Sequence, residues 1–181
     1  KGRKDQGGGR CALQRRYGTL HCAWMQQDRN KFGDQDVRRK RSIMKNSVIS
    51  RETLIGEAYE AKKNAYVPYS NFPVGAALLT EDGKIYRGCN IENAAYTPTN
   101  CAERTAFFKA VSEGERRFRA IAVAGNTGDY LFPCGVCRQV MMEFCDEAFE
   151  IIVARDKSYY KVFTLAELFP GSFSAYDLKK I

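Results

Sequence analysis

Three short segments hold the side chains best suited to chemistry: Cys101-Ala102-Glu103-Arg104, Pro133-Cys134-Gly135-Val136-Cys137, and the run from Gly88 to Tyr96 (GCNIENAAY). Cys134 and Cys137 are spaced i, i+3, so in the first turn of a helix they are neighbours. A tetrahedral zinc with Zn–S near ~2.3 Å needs sulfurs roughly 3.8 Å apart, which that spacing can supply. Cys101 opens the other predicted helix, so two helix N-termini could bring three thiolates to one point. Three protein ligands leave a fourth position open to water, which is the catalytic pattern; closed structural sites use four. Glu103 is then the natural carrier of protons between that water and a reacting molecule.

Two conditions attach to this reading. In mid-helix, residues i and i+2 point to different faces, so Cys101 and Glu103 share a site only if Cys101 lies at or before the cap. Three thiolates on Zn²⁺ also sum to −1, a poor field for deprotonating water. Each helix N-terminus acts as about +0.5 charge, so two offset that deficit. Arg104, three residues after Cys101, can donate to thiolate sulfur and adds a further positive charge.

Blander readings exist for each residue. Cys134 and Cys137 could be a redox dithiol, although a thioredoxin-like pair usually follows Trp and here Pro133 precedes. A closed four-cysteine site could recruit Cys89 or Cys145, but neither stands at ligand spacing, and both read better as buried apolar thiols. Glu103 in isolation would be a helix N3 carboxylate favouring the dipole. Arg104 in isolation would be a surface ion-pair residue.

Composition narrows the setting. The chain has 181 residues with 29 Lys+Arg against 21 Asp+Glu, and its sequence pI near 9.2 invites a nucleic-acid reading. The charge is unevenly placed: residues 1–43 hold 12 basic and 4 acidic residues, whereas residues 44–181 hold 17 of each. Apolar content divides at the same place, 12 of 43 residues before Met44 against 68 of 138 from there on. Residues 1–43 are therefore expected to be a disordered basic extension, or tag, vector or upstream sequence read through ahead of Met44. Arg38 to Arg41 could form a polyanion-binding patch, and nucleic acid is not an expected partner of the domain itself.

No apolar run approaches the ~20 residues of a bilayer span, so no membrane role is expected. Seven cysteines, an odd number with no secretory leader, point to a reducing, cytoplasmic compartment. The single histidine, His21, lies in the leading segment. Chemistry in residues 44–181 must therefore proceed without imidazole, which excludes His-dependent hydrolases and His-ligated metals.

The elements that must position these residues follow from the pattern. Ser50 can cap a helix to about Tyr66, with Leu54, Ala58, Ala61 and Ala65 on one face. Val74 to Thr80 and Lys84 to Asn90 read as a hairpin around Glu81-Asp82-Gly83. Thr99 or Asn100 is the expected cap of a helix closed by Gly114. Arg119 to Gly125 reads as a buried strand, Cys134 to Cys145 as a helix, and Phe149 to Ala154 with Tyr160 to Thr164 as a second hairpin. Leu165 to Phe169 is a short helical turn. Strand–helix–strand passages predict parallel neighbours, and hairpins at both ends predict antiparallel edges. The expected fold is α/β, three layers (α/β/α) around a mixed five-stranded sheet.

Cys-x-Glu followed by Pro-Cys-x-x-Cys resembles the zinc nucleobase-deaminase signature in its three-cysteine form. The segments Tyr69 to Ala77, Gly88 to Tyr96, Asn100 to Ala106 and Pro133 to Gln139, with the Leu168-Phe169-Pro170-Gly171-Ser172-Phe173 ending, closely resemble the small homotetrameric cytidine deaminases. The likeness covers essentially all of Met44 to Ile181. It implies one Zn²⁺ per subunit on Cys101, Cys134 and Cys137, with Glu103 as acid/base, and the charge balance above leaves Arg104 to compensate the thiolates. It further implies that the Ala102 N–H binds the pyrimidine carbonyl and Phe72 packs on the base. Asn90 and Glu92 would hold the ribose hydroxyls, Tyr96 would share their loop, and Phe173 would reach the base of a neighbouring subunit. Phe132 departs from the family, which commonly has Ser there, and a local packing change is expected.

The implied activity is hydrolysis of cytidine and 2′-deoxycytidine to uridine and 2′-deoxyuridine with release of ammonia, as in pyrimidine salvage. Two other readings stay open: a deaminase of a cytosine-nucleoside antibiotic, and a zinc-stabilised polyanion-binding protein using the basic leader.

Overall fold

The computed structural model describes residues 49–174 and Asp177. The chain divides between Ser47 and Val48 into two units, and every described residue belongs to the second. The leading segment 1–43, its basic cluster and His21 lie outside the described residues.

Helix α1 spans Arg51–Lys62 and is capped, as expected, by Ser50, whose hydroxyl accepts from the Thr53 N–H at 3.2 Å. It ends before Tyr66. The chain unwinds through turns in which the N–H groups of Lys63, Asn64 and Ala65 each bond three residues back. Tyr66 is taken instead by a bridge: its N–H donates to Asn90 O at 3.0 Å and its carbonyl accepts from the Glu92 N–H at 2.9 Å. Tertiary pairing overrides the helical period there.

Strands β1 (Gly75–Thr80) and β2 (Ile85–Cys89) form the first hairpin, and α2 (Ala102–Ser112) leads to β3 (Phe118–Ala124). Helix α3 (Gly135–Phe144), β4 (Glu150–Ala154), β5 (Tyr160–Thr164) and the single turn α4 (Leu165–Leu168) complete the domain. The strand order is β2-β1-β3-β4-β5.

Only β3 and β4 run parallel, with Val123 opposite Val153; the other three pairings are antiparallel. The β3–α3–β4 passage thus gives parallel neighbours as expected, but β2–α2–β3 does not. Strand β3 pairs with β1 instead, Leu78 facing Ile121, because β1 occupies the inner side of the hairpin. Strands β2 and β3 still run in the same direction, so α2 and α3 both begin at one end of the sheet. That shared end is what the chemistry requires.

The central strands are buried on both sides, and alternation distributes their side chains between two cores. Ala77, Leu79, Ala120, Ala122, Ala124, Ile152 and Ala154 face α1, meeting Leu54, Ile55 and Ala58. Ala76, Leu78, Ile121, Val123, Ile151 and Val153 face α2 and α3. Phe107 of α2 is fully buried, its ring 5.0 Å from Phe118 edge-on and 6.1 Å from Phe144 of α3. These rings lock the two helices to each other and to the sheet. The architecture is the expected α/β/α sandwich.

At Gly88 the backbones themselves touch. A Cβ there would lie 2.4 Å from both Ala102 O and Ala106 N. Only glycine lets the first turn of α2 rest directly on β2.

Candidate active site

The cap of α2 is Cys101 itself, in extended conformation (φ −74°, ψ 155°), not Thr99 or Asn100. Those two residues are engaged elsewhere. The Asn100 amide donates to Thr105 Oγ1 at 3.0 Å, that hydroxyl lies 3.2 Å from Cys101 O, and Thr99 Oγ1 accepts from the Asn93 N–H at 3.1 Å. With Cys101 at the cap, the condition for its sharing a site with Glu103 is met. Cys134 caps α3 in the same way (φ −68°, ψ 166°). Neither thiol makes a capping hydrogen bond, so both are available as ligands.

The three sulfurs converge. Cys101 Sγ lies 3.8 Å from Cys134 Sγ, and Cys134 Sγ lies 3.5 Å from Cys137 Sγ; all three fall within 4.8 Å of one another. Those separations suit a tetrahedral cation with bonds near ~2.3 Å. Among the described residues this is the single metal-competent cluster, and Cys89 and Cys145 stand outside it. Cys145 is instead a thiol that burial pushes well up, and the Cys89 thiol lies 3.3 Å from Asn64 O.

Electrostatics differ sharply between Cys101 and Cys137. Cys101 is held down to about 5 by the neighbouring Cys137 thiol and by the Arg104 guanidinium, while the same contact pushes Cys137 up. Cysteine ligates a divalent cation as thiolate, so metal binding at such a cluster releases protons. Arg104 Nη2 donates to Thr99 O at 3.0 Å and reaches Cys101 Sγ at 3.6 Å. Its Nε is buried without a hydrogen-bond partner among the described residues. The guanidinium is thus anchored on the Thr99 carbonyl and lies beside the Cys101 sulfur.

Glu103 is only 5% exposed, one of two buried polar side chains among the described residues. Burial pushes its carboxyl up to about 7, with the neighbouring Cys101 adding to the effect. Ala102 is fully buried and occupies the first helical position, where a backbone N–H has no acceptor within its helix.

Phe72, Asn90, Glu92 and Tyr96 lie on two loops that adjoin Cys101 in the chain or are bridged to that segment, whereas Phe173 lies beyond α4. Ile91 bridges both Tyr66 and Asn100, tying together the loops at 65–74 and 90–100. The Asn90 side chain clamps the Phe72 loop: its Oδ1 accepts from the Val74 N–H and its Nδ2 donates to Phe72 O, both at 2.9 Å. Glu92 Oε2 accepts from the N–H groups of Tyr69 at 2.9 Å and Ser70 at 3.2 Å. The Ser70 side chain and those N–H groups hold its carboxyl below the usual value. Phe72, Tyr96 and Phe173 are exposed, and Tyr96 adopts φ +54°, an uncommon conformation for a bulky residue. Phe132 packs on Phe163 with ring centroids 5.3 Å apart.

The sequence reading missed several supports. Gly88 opens the run to Tyr96, but nothing in its neighbours along the chain shows that a helix presses on it. Thr99 contributes through a carbonyl, which every residue has. Arg138 and Gln139 donate to carbonyls far along the chain, Leu168 O at 2.7 Å and Phe173 O at 2.8 Å.

Two helix N-termini presenting three sulfurs and a buried carboxyl define a zinc-dependent nucleobase deaminase in its all-cysteine form. A family model for the cytidine and deoxycytidylate deaminase zinc-binding region matches residues 49–153. A cytidine deaminase of Sporosarcina psychrophila is 58% identical over 127 residues, 70% of this chain and 93% of that protein. One from Halalkalibacterium halodurans is 52% identical over 130 residues, 72% of this chain and 98% of its own. The crystal structure of cytidine deaminase from Burkholderia pseudomallei aligns with TM-score 0.66 and 47% identity, covering 68% of this chain and 99% of that one. The chain belongs to the cytidine deaminase family, whose zinc-binding region it carries. Among the described residues no helix is long and apolar enough to cross a membrane.

Proposed function

We propose that this chain hydrolyses cytidine and 2′-deoxycytidine to uridine and 2′-deoxyuridine, releasing ammonia, with one Zn²⁺ per subunit held by Cys101, Cys134 and Cys137. The observation that carries the reading is the meeting of three sulfurs with a buried carboxyl two residues from one of them. Zinc, when bound, supplies a Lewis acid that makes water nucleophilic near neutral pH.

The chain's own groups do the rest. Glu103, pushed up to about 7, can both accept and return a proton at neutral pH. It takes the proton from the attacking water, delivers it to the ring nitrogen N3, and passes the second proton to the departing amine. Water and cytidine thus balance as uridine and ammonia. The Ala102 N–H, at the positive end of α2, binds the pyrimidine carbonyl.

Phe72 packs on the base, and Asn90 and Glu92 take the ribose hydroxyls. An amide has a second N–H and a carboxylate a second oxygen, so both keep capacity beyond the loop they clamp. Tyr96 shapes the same loop. Phe173, exposed on its own subunit, completes the site of a neighbour in a homotetramer. We place the protein in the cytoplasm, in pyrimidine salvage, with residues 44–181 carrying the activity and residues 1–43 dispensable to it.

The test is turnover of cytidine, followed by the absorbance change, in the full chain with zinc measured per subunit. A folded, zinc-loaded sample that leaves cytidine unchanged overturns the reading. Side-by-side kinetics on a cytosine-nucleoside antibiotic separates the two substrate classes. If the protein is instead a polyanion binder, Glu103→Gln binds nucleic acid normally and no cytidine turnover appears. Sedimentation reports the tetramer.

A further inference from the structure

The stretch from α4 to Phe173 is held by the helix that carries two of the thiols. Arg138, the residue after Cys137, donates from Nε to Pro133 O at 2.8 Å and from Nη1 to Leu168 O at 2.7 Å. One guanidinium therefore joins the residue before Cys134 to the last residue of α4. Gln139, next along α3, donates from Nε2 to Phe173 O at 2.8 Å. Between these two anchors the chain has Pro170, which lacks an N–H, and Gly171 at φ +67°. Neither favours regular backbone bonding. Beyond Phe173, Ser174 turns back on Asp177, whose Oδ2 accepts from the Ser174 N–H at 2.9 Å.

The Phe173 ring itself is 58% exposed, and no ring partner is found for it among the described residues. Its own subunit's core does not place it; its backbone does. We propose that Gln139 is a positioning residue: through the Phe173 carbonyl it fixes where that ring stands relative to the thiol cluster, with Arg138 setting the segment that leads to it. Metal ligation and base contact are then built on one rigid helix, so the Phe173 ring offered to a neighbour keeps a constant distance from its own subunit's zinc site. This rests on the reading of Phe173 as a base contact in the adjoining subunit.

Three zinc-loaded full-chain variants test it. Gln139→Glu keeps the shape and removes the donor, Gln139→Leu removes the polar group, and Phe173→Ala removes the ring. Because Gln139 is exposed, folding and zinc content are expected to match the unsubstituted protein. With the donor gone, KM for cytidine should rise roughly three- to tenfold while kcat stays within about twofold, the size expected for one hydrogen bond. Amide exchange in residues 169–174 should accelerate in both Gln139 variants. In the Phe173→Ala background, Gln139→Glu should add little to KM, since the two act as one unit.

If Phe173→Ala raises KM but Gln139→Glu does not, the positioning role is overturned and the reading of Phe173 stands. If Phe173→Ala leaves KM unchanged while exchange at 169–174 still accelerates in Gln139→Glu, the tether is real. The substrate role of Phe173 then falls, and the positioning role with it.

Discussion

The N-termini of α2 and α3 begin alike and are supported differently. Each starts with an extended cysteine that leaves its thiol to the metal cluster. At α2 the first turn is sunk into the molecule: Ala102 and Glu103 are buried, Gly88 lies beneath, and Arg104 braces the cap against Thr99. At α3 the first turn is open, with Cys134, Gly135 and Val136 exposed and nothing within 4 Å of a Cβ built on Gly135. Burial pushes the N2 carboxyl of α2 up to about 7, which is why the proton-carrying role proposed for Glu103 falls to the sunken helix. The open helix can give two ligands at i, i+3 and leave room beside them for a substrate.

The largest effect expected from this contrast is at Glu103. Glu103→Gln should lower kcat by about 10²–10⁴-fold while zinc content stays at one per chain, measured by turnover and metal analysis. Loss of zinc along with activity would make Glu103 a structural support instead. Next comes Arg104. Arg104→Gln removes a charge-assisted contact to Cys101 and should reduce kcat about 10- to 100-fold, with weaker zinc retention against a chelator.

Gly88→Ala forces α2 off β2 and should destabilise the domain by about 1–3 kcal/mol in denaturant unfolding. Gly135→Ala, in open space at the start of α3, should change stability by no more than about 0.5 kcal/mol. Equal responses at the two glycines would erase the distinction between the helices.

A smaller effect concerns pH. The Glu92 carboxyl is held below its ordinary 4.5 in the folded protein, chiefly by the Ser70 side chain and then by the Tyr69 and Ser70 N–H groups. The folded state therefore binds a proton less readily than the unfolded chain, and the associated stability is present above that value. It is lost as pH falls through the lower folded value. Unfolding midpoints of the native protein and of Glu92→Gln should differ by a constant amount above pH 5 and converge as the solution is acidified below 4.5. A gap that widens on acidification would contradict the clamp.

What was legible in the sequence divides along physical lines. Cys134 and Cys137 declared themselves because i, i+3 spacing is local, and Cys101-x-Glu103 because its motif is contiguous. The three-layer sandwich followed from the order of strands and helices along the chain. Strand adjacency at β2–α2–β3 was misjudged because hairpin and crossover rules compete, and only packing decides which strand β3 joins. The cap of α2 was misplaced because Thr99 and Asn100 are better intrinsic caps than cysteine. Their side chains were already committed, to Asn93 and Thr105. Gly88, Arg138 and Gln139 stayed hidden because each acts on backbone atoms distant in sequence, which no residue pattern encodes.

The double bridge at Ile91 has a consequence for how this protein can vary. Ile91 exchanges both of its backbone hydrogen bonds with Asn100 while its neighbours Asn90 and Glu92 bond Tyr66, so the loops at 65–74 and 90–100 share a single strut. Surface loops ordinarily absorb insertions independently of one another. Here a residue added to one would shift the footing of the other, and with it Cys101 immediately beyond Asn100. Length changes in homologous chains are therefore to be sought elsewhere, as in the 126–130 turn or the β4–β5 connection, while these two loops should keep their lengths in step.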